Sequence, residues 1–240
     1  MEEILMTELN SYPVALSRLG DEDDTRESQA ERAITWLCKQ SGGDITVITP
    51  RKYFENSAIK QLIQIKGVKH YSWRENDGQY LTGRVLYAWP NRERLSNLWH
   101  SQLDALAVIE WGEDKDWMTI AKPIILLPNK IVEPTATDDF ELGRLPNGIS
   151  AILSYIASMA NGYSQGMKWN EVDQLKSDLM ECPKRWEEVT PEEVKQECLH
   201  LNMKLADVDQ ITELVTRRQQ GKNFNLSKSS YKGFKFKLDI

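Results

Sequence analysis

Glycine-rich phosphate loops are missing from this 240-residue chain. Neither GxxxxGK[ST] nor GxGxxG follows any strand-like run, and the run ITVIT leads into Pro50 rather than into glycines. That absence disfavours the loop of nucleotide hydrolases and the dinucleotide fingerprint alike. Cysteine is scarce: Cys38, Cys182 and Cys198 are odd in number and share no spacing, which speaks against a disulfide framework. The three histidines, His70, His100 and His200, lie far apart, and none has a second ligand at metal-binding spacing. G-x-S-x-G is absent, and no cysteine follows a strand beside basic residues, so neither nucleophile set can be assembled. No metal and no cofactor is expected.

A long apolar run is also lacking. Residues 145–167 carry no charge, yet serines, asparagines and glycines interrupt them, whereas a membrane span needs roughly 20 predominantly apolar residues. The stretch reads as a buried amphipathic helix, and no membrane partner is expected. The opening MEEILMTELN is acidic where a secretory signal starts basic, so the expected location is cytoplasmic.

What the chain does have is an uneven charge. Its net charge of -6 and mean hydropathy of -0.53 fit a globular protein large enough for one sizeable core plus a satellite. Residues 1–28 carry eight acids against Arg18 and Arg26, and residues 217–240 carry seven bases against Asp239. The two ends therefore cancel, and the average conceals a basic C-terminus suited to a nucleic-acid partner.

From residue 27 to 127 short β-branched runs alternate with helical patterns, the mark of an α/β sheet. Five strands are expected at 45–49, 68–72, 84–88, 105–110 and 123–127, with helices at 27–40, 55–64, 91–101 and 113–121. Runs such as ALAVI imply burial on both faces, as in parallel sheets. The fold class expected is α/β, Rossmann-like, with a mostly parallel sheet and helices on both faces. A smaller helical domain and a basic C-terminal tail follow it. Residues 1–26 read as an acidic arm, 27–127 as the α/β domain, 128–146 as a proline-rich linker, 147–219 as the helical domain and 220–240 as the tail. In the helical domain, Thr190-Pro191-Glu192-Glu193 is a capping box with proline at the first helical position. That box also accounts for Glu193-Val194-Lys195, a fragment shared with some nuclease sites. The tail alternates lysine with phenylalanine and reads as a strand with a basic face.

Ligands of open α/β sheets bind beyond the carboxyl ends of the strands, where loops converge and helix N-termini point. That rule selects Arg51 and Lys52 after the first expected strand, Trp73 and Arg74 after the second, and Trp89, Asn91 and Arg92 after the third. Glu110 and Trp111 follow the fourth. Indole rings can stack on bases and guanidinium groups can pair phosphates. The same tryptophans could equally be packing residues that cap the sheet. Glu110 is the candidate general base. Asp138-Asp139 and Asp207/Asp209 are weak cation candidates. The last two helices suggest a helix-turn-helix, but Asp207 and Asp209 put acids where phosphate contacts belong.

In the tail region Arg217, Arg218, Lys222, Lys228, Lys232, Lys235 and Lys237 are the nucleic-acid candidates, interleaved with Tyr231, Phe234 and Phe236. Lysines on a protected edge strand give the same pattern. The function expected is a non-catalytic binding subunit with a degenerate nucleotide-fold domain, engaging nucleic acid or a nucleic-acid-processing partner. One alternative is an enzyme acting on a nucleotide or phosphate ester, with Glu110 as base and Arg51, Arg74 or Arg92 as clamps. Another is a protein adaptor working through the acidic arm or the helical domain.

Overall fold

The computed structural model describes residues 12–98, 101–134, 142–163 and 165–237. The expected features at 1–11, Asp138-Asp139 and Asp239 lie outside these. The chain divides into two compact units, Met1–Ala136 and Thr137–Ile240.

The first unit is built on a mostly parallel seven-stranded sheet: β1 (Val14–Ser17), β2 (Ile45–Thr49), β3 (Lys69–Ser72), β4 (Thr82–Ala88), β5 (Gln102–Ile109), β6 (Ile124–Leu127) and β7 (Lys130–Val132). Their spatial order is β3-β2-β4-β5-β1-β6-β7, and only β7 runs antiparallel. Two strands separate β1 from β2, an order different from the 3-2-1-4-5-6 of dinucleotide-binding sheets.

Val14–Ser17 fall inside the expected acidic arm, yet they are buried and sit between β5 and β6. The linker segment likewise contributes β7, which returns from β6 through Pro128-Asn129, with Asn129 left-handed at φ 55. Proline followed by a left-handed asparagine suits a type II turn.

Four helices connect the strands: α1 (Arg26–Cys38), α2 (Ser57–Ile63), α3 (Arg92–Asn97) and α4 (Lys115–Ala121). Each starts on a polar cap: Thr25, Asn56, Asn91 and Asp114 accept from backbone N–H groups of their first turns. Alternation along the strands sends Val47, Leu86, Ala107 and Ile109 into one core with Ala30, Leu37 and Ile59 of α1 and α2. Leu16 and Val108 instead meet Leu95 of α3 and Trp117 of α4 on the opposite face. At Gly83 the β4–β5 register shifts and φ is 76, and an added Cβ would lie 2.6 Å from the Asp44 carbonyl oxygen. Only glycine fits there.

The second unit is helical: α5 (Ile149–Asn161), α6 (Trp169–Glu181), the short α7 (Pro183–Trp186), α8 (Pro191–His200) and α9 (Leu205–Gln219). The Thr190 capping box is formed, Glu193 N–H donating to Thr190 Oγ1 and Thr190 N–H to Glu193 Oε2. Its core also holds five buried carboxylates, which take up backbone N–H groups from loops. Glu197 accepts from Gly143, Asp207 from Met167, Asp173 from Lys228, and Asp178 from Phe236, while Glu171 accepts from Lys168 at the start of α6.

The tail departs from the expected strand. Its described part contains a 3-10 turn at Ser229–Tyr231 and no strand. The N–H groups of Lys228 and Phe236 find carboxylates on α6 instead of a neighbouring strand, and aromatic side chains at every second or third position pack inward. A Lys/Phe alternation follows from that burial without any sheet.

Burial raises the Asp207 carboxyl to about 6, against the pull of the Met167 N–H. The unfolded chain ionises near the ordinary 3.9, so between about pH 4 and pH 6 the folded state holds more protons and stability falls as pH rises. Asp207→Asn keeps an acceptor for Met167 and removes the titration. The variant should gain up to about 3 kcal/mol over the wild type as pH rises through that window. Urea midpoints at pH 4, 5, 6 and 7 check this, and a gain that does not grow with pH refutes it.

Candidate switch-point site

Connections leaving β1 run through α1 towards the β3 edge, whereas those leaving β5 run through α4 on the other face towards the β7 edge. β1 and β5 are neighbours, so the crevice where ligands of α/β sheets bind opens between their carboxyl ends. The site is therefore built from Ser17 at the end of β1 and Arg18 after it, Glu110 and Trp111 after β5, and the opening turn of α1.

These groups are cross-linked to one another. Arg18 donates from Nε and a terminal nitrogen to the two Glu110 oxygens, both at 2.8 Å. Its other contacts are Glu113 at 3.4 Å and the Met118 sulfur at 3.3 Å. With Glu110 hydrogen-bonded to it, the Arg18 guanidinium is held above its ordinary pKa. Fully buried Gln29 donates to the carbonyls of Ser17 (2.7 Å) and Glu110 (3.0 Å) and accepts from Arg26 at 3.0 Å. Arg26 also reaches the Glu110 carbonyl at 2.9 Å and stacks over Trp111, 4.7 Å from the ring centroid.

Where a phosphate cradle would lie, the β1–α1 loop carries Asp21, Glu22, Asp23 and Asp24. Asp24 is held by Arg32 at 2.6 and 2.9 Å and accepts the Gly20 N–H, which keeps its carboxyl below the usual range. The N-terminus of α2 takes Glu27 of α1, bonded to the Ala58 N–H. Helix starts that could hold an anion are thus occupied by the chain's own side chains.

The other rim residues are dispersed. Arg51 and Arg74 are exposed on the surface, and Lys52 is paired with Glu75 at 3.2 Å. Arg92 bridges Asp114 (2.9 Å) and Asp116 (2.8 Å), and Asn91 is spent on capping α3. Of the three rim tryptophans, Trp111 is 68% exposed. Trp73 and Trp89 are half-buried, their indole N–H groups buried without a hydrogen-bond partner. Trp89 packs on the core under α1 and α2 and is left-handed at φ 55, a strained state for so bulky a residue. His70 is structural, sharing a 2.8 Å hydrogen bond with Thr49, and burial lowers its pKa.

Arg18, Arg26 and Gln29 were not singled out by sequence reasoning. The available signal was the short run Pro13–Ser17 followed by a Thr25 cap.

The second unit carries a different arrangement. Trp169, Tyr231, Phe234, Phe236 and Tyr155 form an edge-to-face ladder with successive centroid spacings of 6.0, 6.1, 5.0 and 5.8 Å. Trp169 and Tyr155 are exposed, the three tail rings half-buried, and Lys228, Lys232, Lys235 and Lys237 are exposed along the same segment, Lys228 over the Trp169 ring; Lys222 is exposed just past the end of α9. Arg218 is committed to the fold, bonded to the Leu179 carbonyl and to Asn223, and Arg217 pairs with Glu213.

Comparison with known protein families, with curated proteins and with solved structures finds no match. Among the described residues, no group of three His, Cys, Asp or Glu side chains is placed to hold a metal ion, and no helix is long and apolar enough to cross a membrane.

Proposed function

We propose that the chain is a non-catalytic binding subunit that engages single-stranded nucleic acid through the tail and α6, its α/β unit being a degenerate nucleotide fold used as a scaffold. The observation that carries this reading is the pair of exposed rings, Trp169 and Tyr155, at the two ends of an aromatic ladder fringed by exposed lysines. Aromatic platforms beside a cationic track are how sequence-tolerant single-strand binders work: each base offers a π-face, and each lysine meets a phosphate. A non-catalytic α/β unit is supported by the commitment of Glu110 to Arg18 and by the four acids in the β1–α1 loop. A general base must point an oxygen at a substrate proton, whereas both Glu110 oxygens are turned to Arg18, and a phosphate needs a site without like charge.

Fluorescence anisotropy with labelled single- and double-stranded oligonucleotides at low salt tests the reading. The quadruple change of Lys228, Lys232, Lys235 and Lys237 to Gln should weaken single-strand binding at least roughly tenfold. It should also lower the slope of log K against log salt by about 3, at about 0.7 for each phosphate no longer neutralised. Trp169→Ala should cost about 1–3 kcal/mol of affinity. No binding at low salt, or binding untouched by these changes, removes the proposal.

A further inference from the structure

Away from the crevice, the carboxyl ends of β2 and β3 make a corner of their own. The strands pair in parallel with Thr49 opposite Ser72, so the loops after them leave side by side, and Lys52 of one meets Glu75 of the other at 3.2 Å. Both loops are pinned. In the first, the Thr49 hydroxyl donates to the Arg51 carbonyl at 2.7 Å and shares a hydrogen bond with His70, against which Phe54 packs edge-on with ring centroids 5.6 Å apart. In the second, Glu75 accepts from the Ser72 N–H and hydroxyl at 2.9 and 3.0 Å, and its own N–H returns to the Ser72 carbonyl. The side chains between these anchors are presented from fixed backbone.

Tyr53 is 89% exposed, a ring with almost no packing of its own. Arg51 and Arg74 are exposed, and among the described residues neither side chain has a hydrogen-bond or ion-pair partner. The neighbouring acids are already matched. The Ser72 N–H and Lys52 pull the Glu75 carboxyl down to about 2, so it stays charged and cancels Lys52, and Glu55 pairs with Lys60. Trp73 is half-buried with the Arg94 guanidinium over its ring, 5.7 Å from the centroid. The corner is left with two uncompensated guanidinium groups and one open phenol ring.

Guanidinium forks match phosphate oxygens, and a free aromatic face matches an unstacked base, so the two together fit a strand that offers both in succession. A ring standing this clear of its surroundings encloses nothing, whereas a free nucleotide binds by burying most of its surface. A polymer needs no enclosure, because weak contacts to neighbouring nucleotides add along one chain. A duplex keeps its base faces stacked on one another, out of reach of Tyr53. We propose that this corner is a second contact for single-stranded nucleic acid, Arg51 and Arg74 pairing phosphates and Tyr53 stacking on a base. It rests on the reading above for the ligand and adds contacts in a unit which that reading used as a scaffold.

Anisotropy titrations of the full-length protein with labelled oligothymidylate across a salt series test it. Arg51→Gln/Arg74→Gln should lower the slope of log K against log salt by about 1.4, at about 0.7 for each of two phosphates no longer neutralised, and Arg51→Lys/Arg74→Lys should keep the slope. Tyr53→Ala should weaken binding at least roughly fivefold, and Tyr53→Phe should not. All three positions are exposed, and unchanged circular dichroism and thermal midpoint exclude unfolding as the cause. Heparin, a polyanion without bases, should feel the loss of the arginines and not that of Tyr53. An equal loss of heparin binding on Tyr53→Ala would make the corner a general polyanion surface and overturn the assignment. An unchanged slope for the glutamine pair, or unchanged affinity for Tyr53→Ala, overturns it as well. If the tail lysine changes weaken binding and these do not, the corner fails and the tail reading stands; the reverse result sinks the tail and keeps the corner. Absence of oligothymidylate binding by the wild type removes both.

Discussion

Asp178→Ala should destabilise the helical unit by about 3–5 kcal/mol, the loss expected when one partner of a buried ion pair is removed. The carboxylate is fully buried and accepts four hydrogen bonds from three donor groups. Arg185 reaches it at 2.7 and 2.9 Å, the Trp186 indole N–H at 2.9 Å and the Phe236 backbone N–H at 2.9 Å. Alanine would strand a guanidinium that is 16% exposed and the indole N–H of a side chain that is 1% exposed, and it would untie the tail at Phe236. Unsatisfied buried donors cost about 1–3 kcal/mol each, more when charged. Asp178→Asn keeps one acceptor and should lose a smaller part. Urea unfolding of the helical unit gives the energy, and proteolysis within 220–237 reports the tail. Both should respond to Asp178→Ala. Asp173→Ala should release the tail at Lys228 with a smaller stability loss, because Asp173 accepts only that backbone N–H. A loss under about 1 kcal/mol for Asp178→Ala would mean that solvent replaces the carboxylate.

The legible parts of this fold are those in which local chemistry decides the outcome. β2, β4, β5 and β6 are runs of β-branched and aliphatic residues between polar turns, and α8 begins at the Thr190 capping box read from the sequence. The α/β character and the helical second unit follow from those signals.

What escaped is decided at long range. β1 is four residues long and borders an acidic loop, so nothing local distinguishes it from an arm, and only its pairing with β5 and β6 makes it a strand. With β1 missing, the crevice between β1 and β5 could not be drawn. Glu110 and Trp111 were visible as strand-end residues, but their partners Arg18, Arg26 and Gln29 stood in or beside the expected arm. The tail shows the converse case. Its Lys/Phe alternation is a sound signal of one buried and one exposed side, yet the buried side meets helices rather than a sheet. A period of two reports which side is wet and leaves open what supplies the hydrogen bonds.

The partners found at the crevice make Gln29 its sharpest probe. Gln29→Leu keeps the volume and removes three hydrogen bonds, those to the Ser17 and Glu110 carbonyls and that from Arg26. Ser17 O still accepts from the Glu110 N–H and Glu110 O from Arg26, so the loss should be about 2–3 kcal/mol and insensitive to pH. Gln29→Glu should be worse at neutral pH, about 3–5 kcal/mol, because it sets a buried carboxylate against two carbonyl oxygens with only Arg26 to offset it. Protonation restores a donor, so the introduced group has a raised pKa in the folded state. The folded chain then binds the extra proton, and the Glu variant should recover towards the Leu variant as pH falls from 7 to 5. Urea midpoints of the two variants against wild type across that range give the answer. Parallel curves for Leu and Glu would show that water reaches Gln29 and that the ends of β1 and β5 stand open. Converging curves would show the crevice sealed by its own side chains, as a scaffold without a bound nucleotide requires.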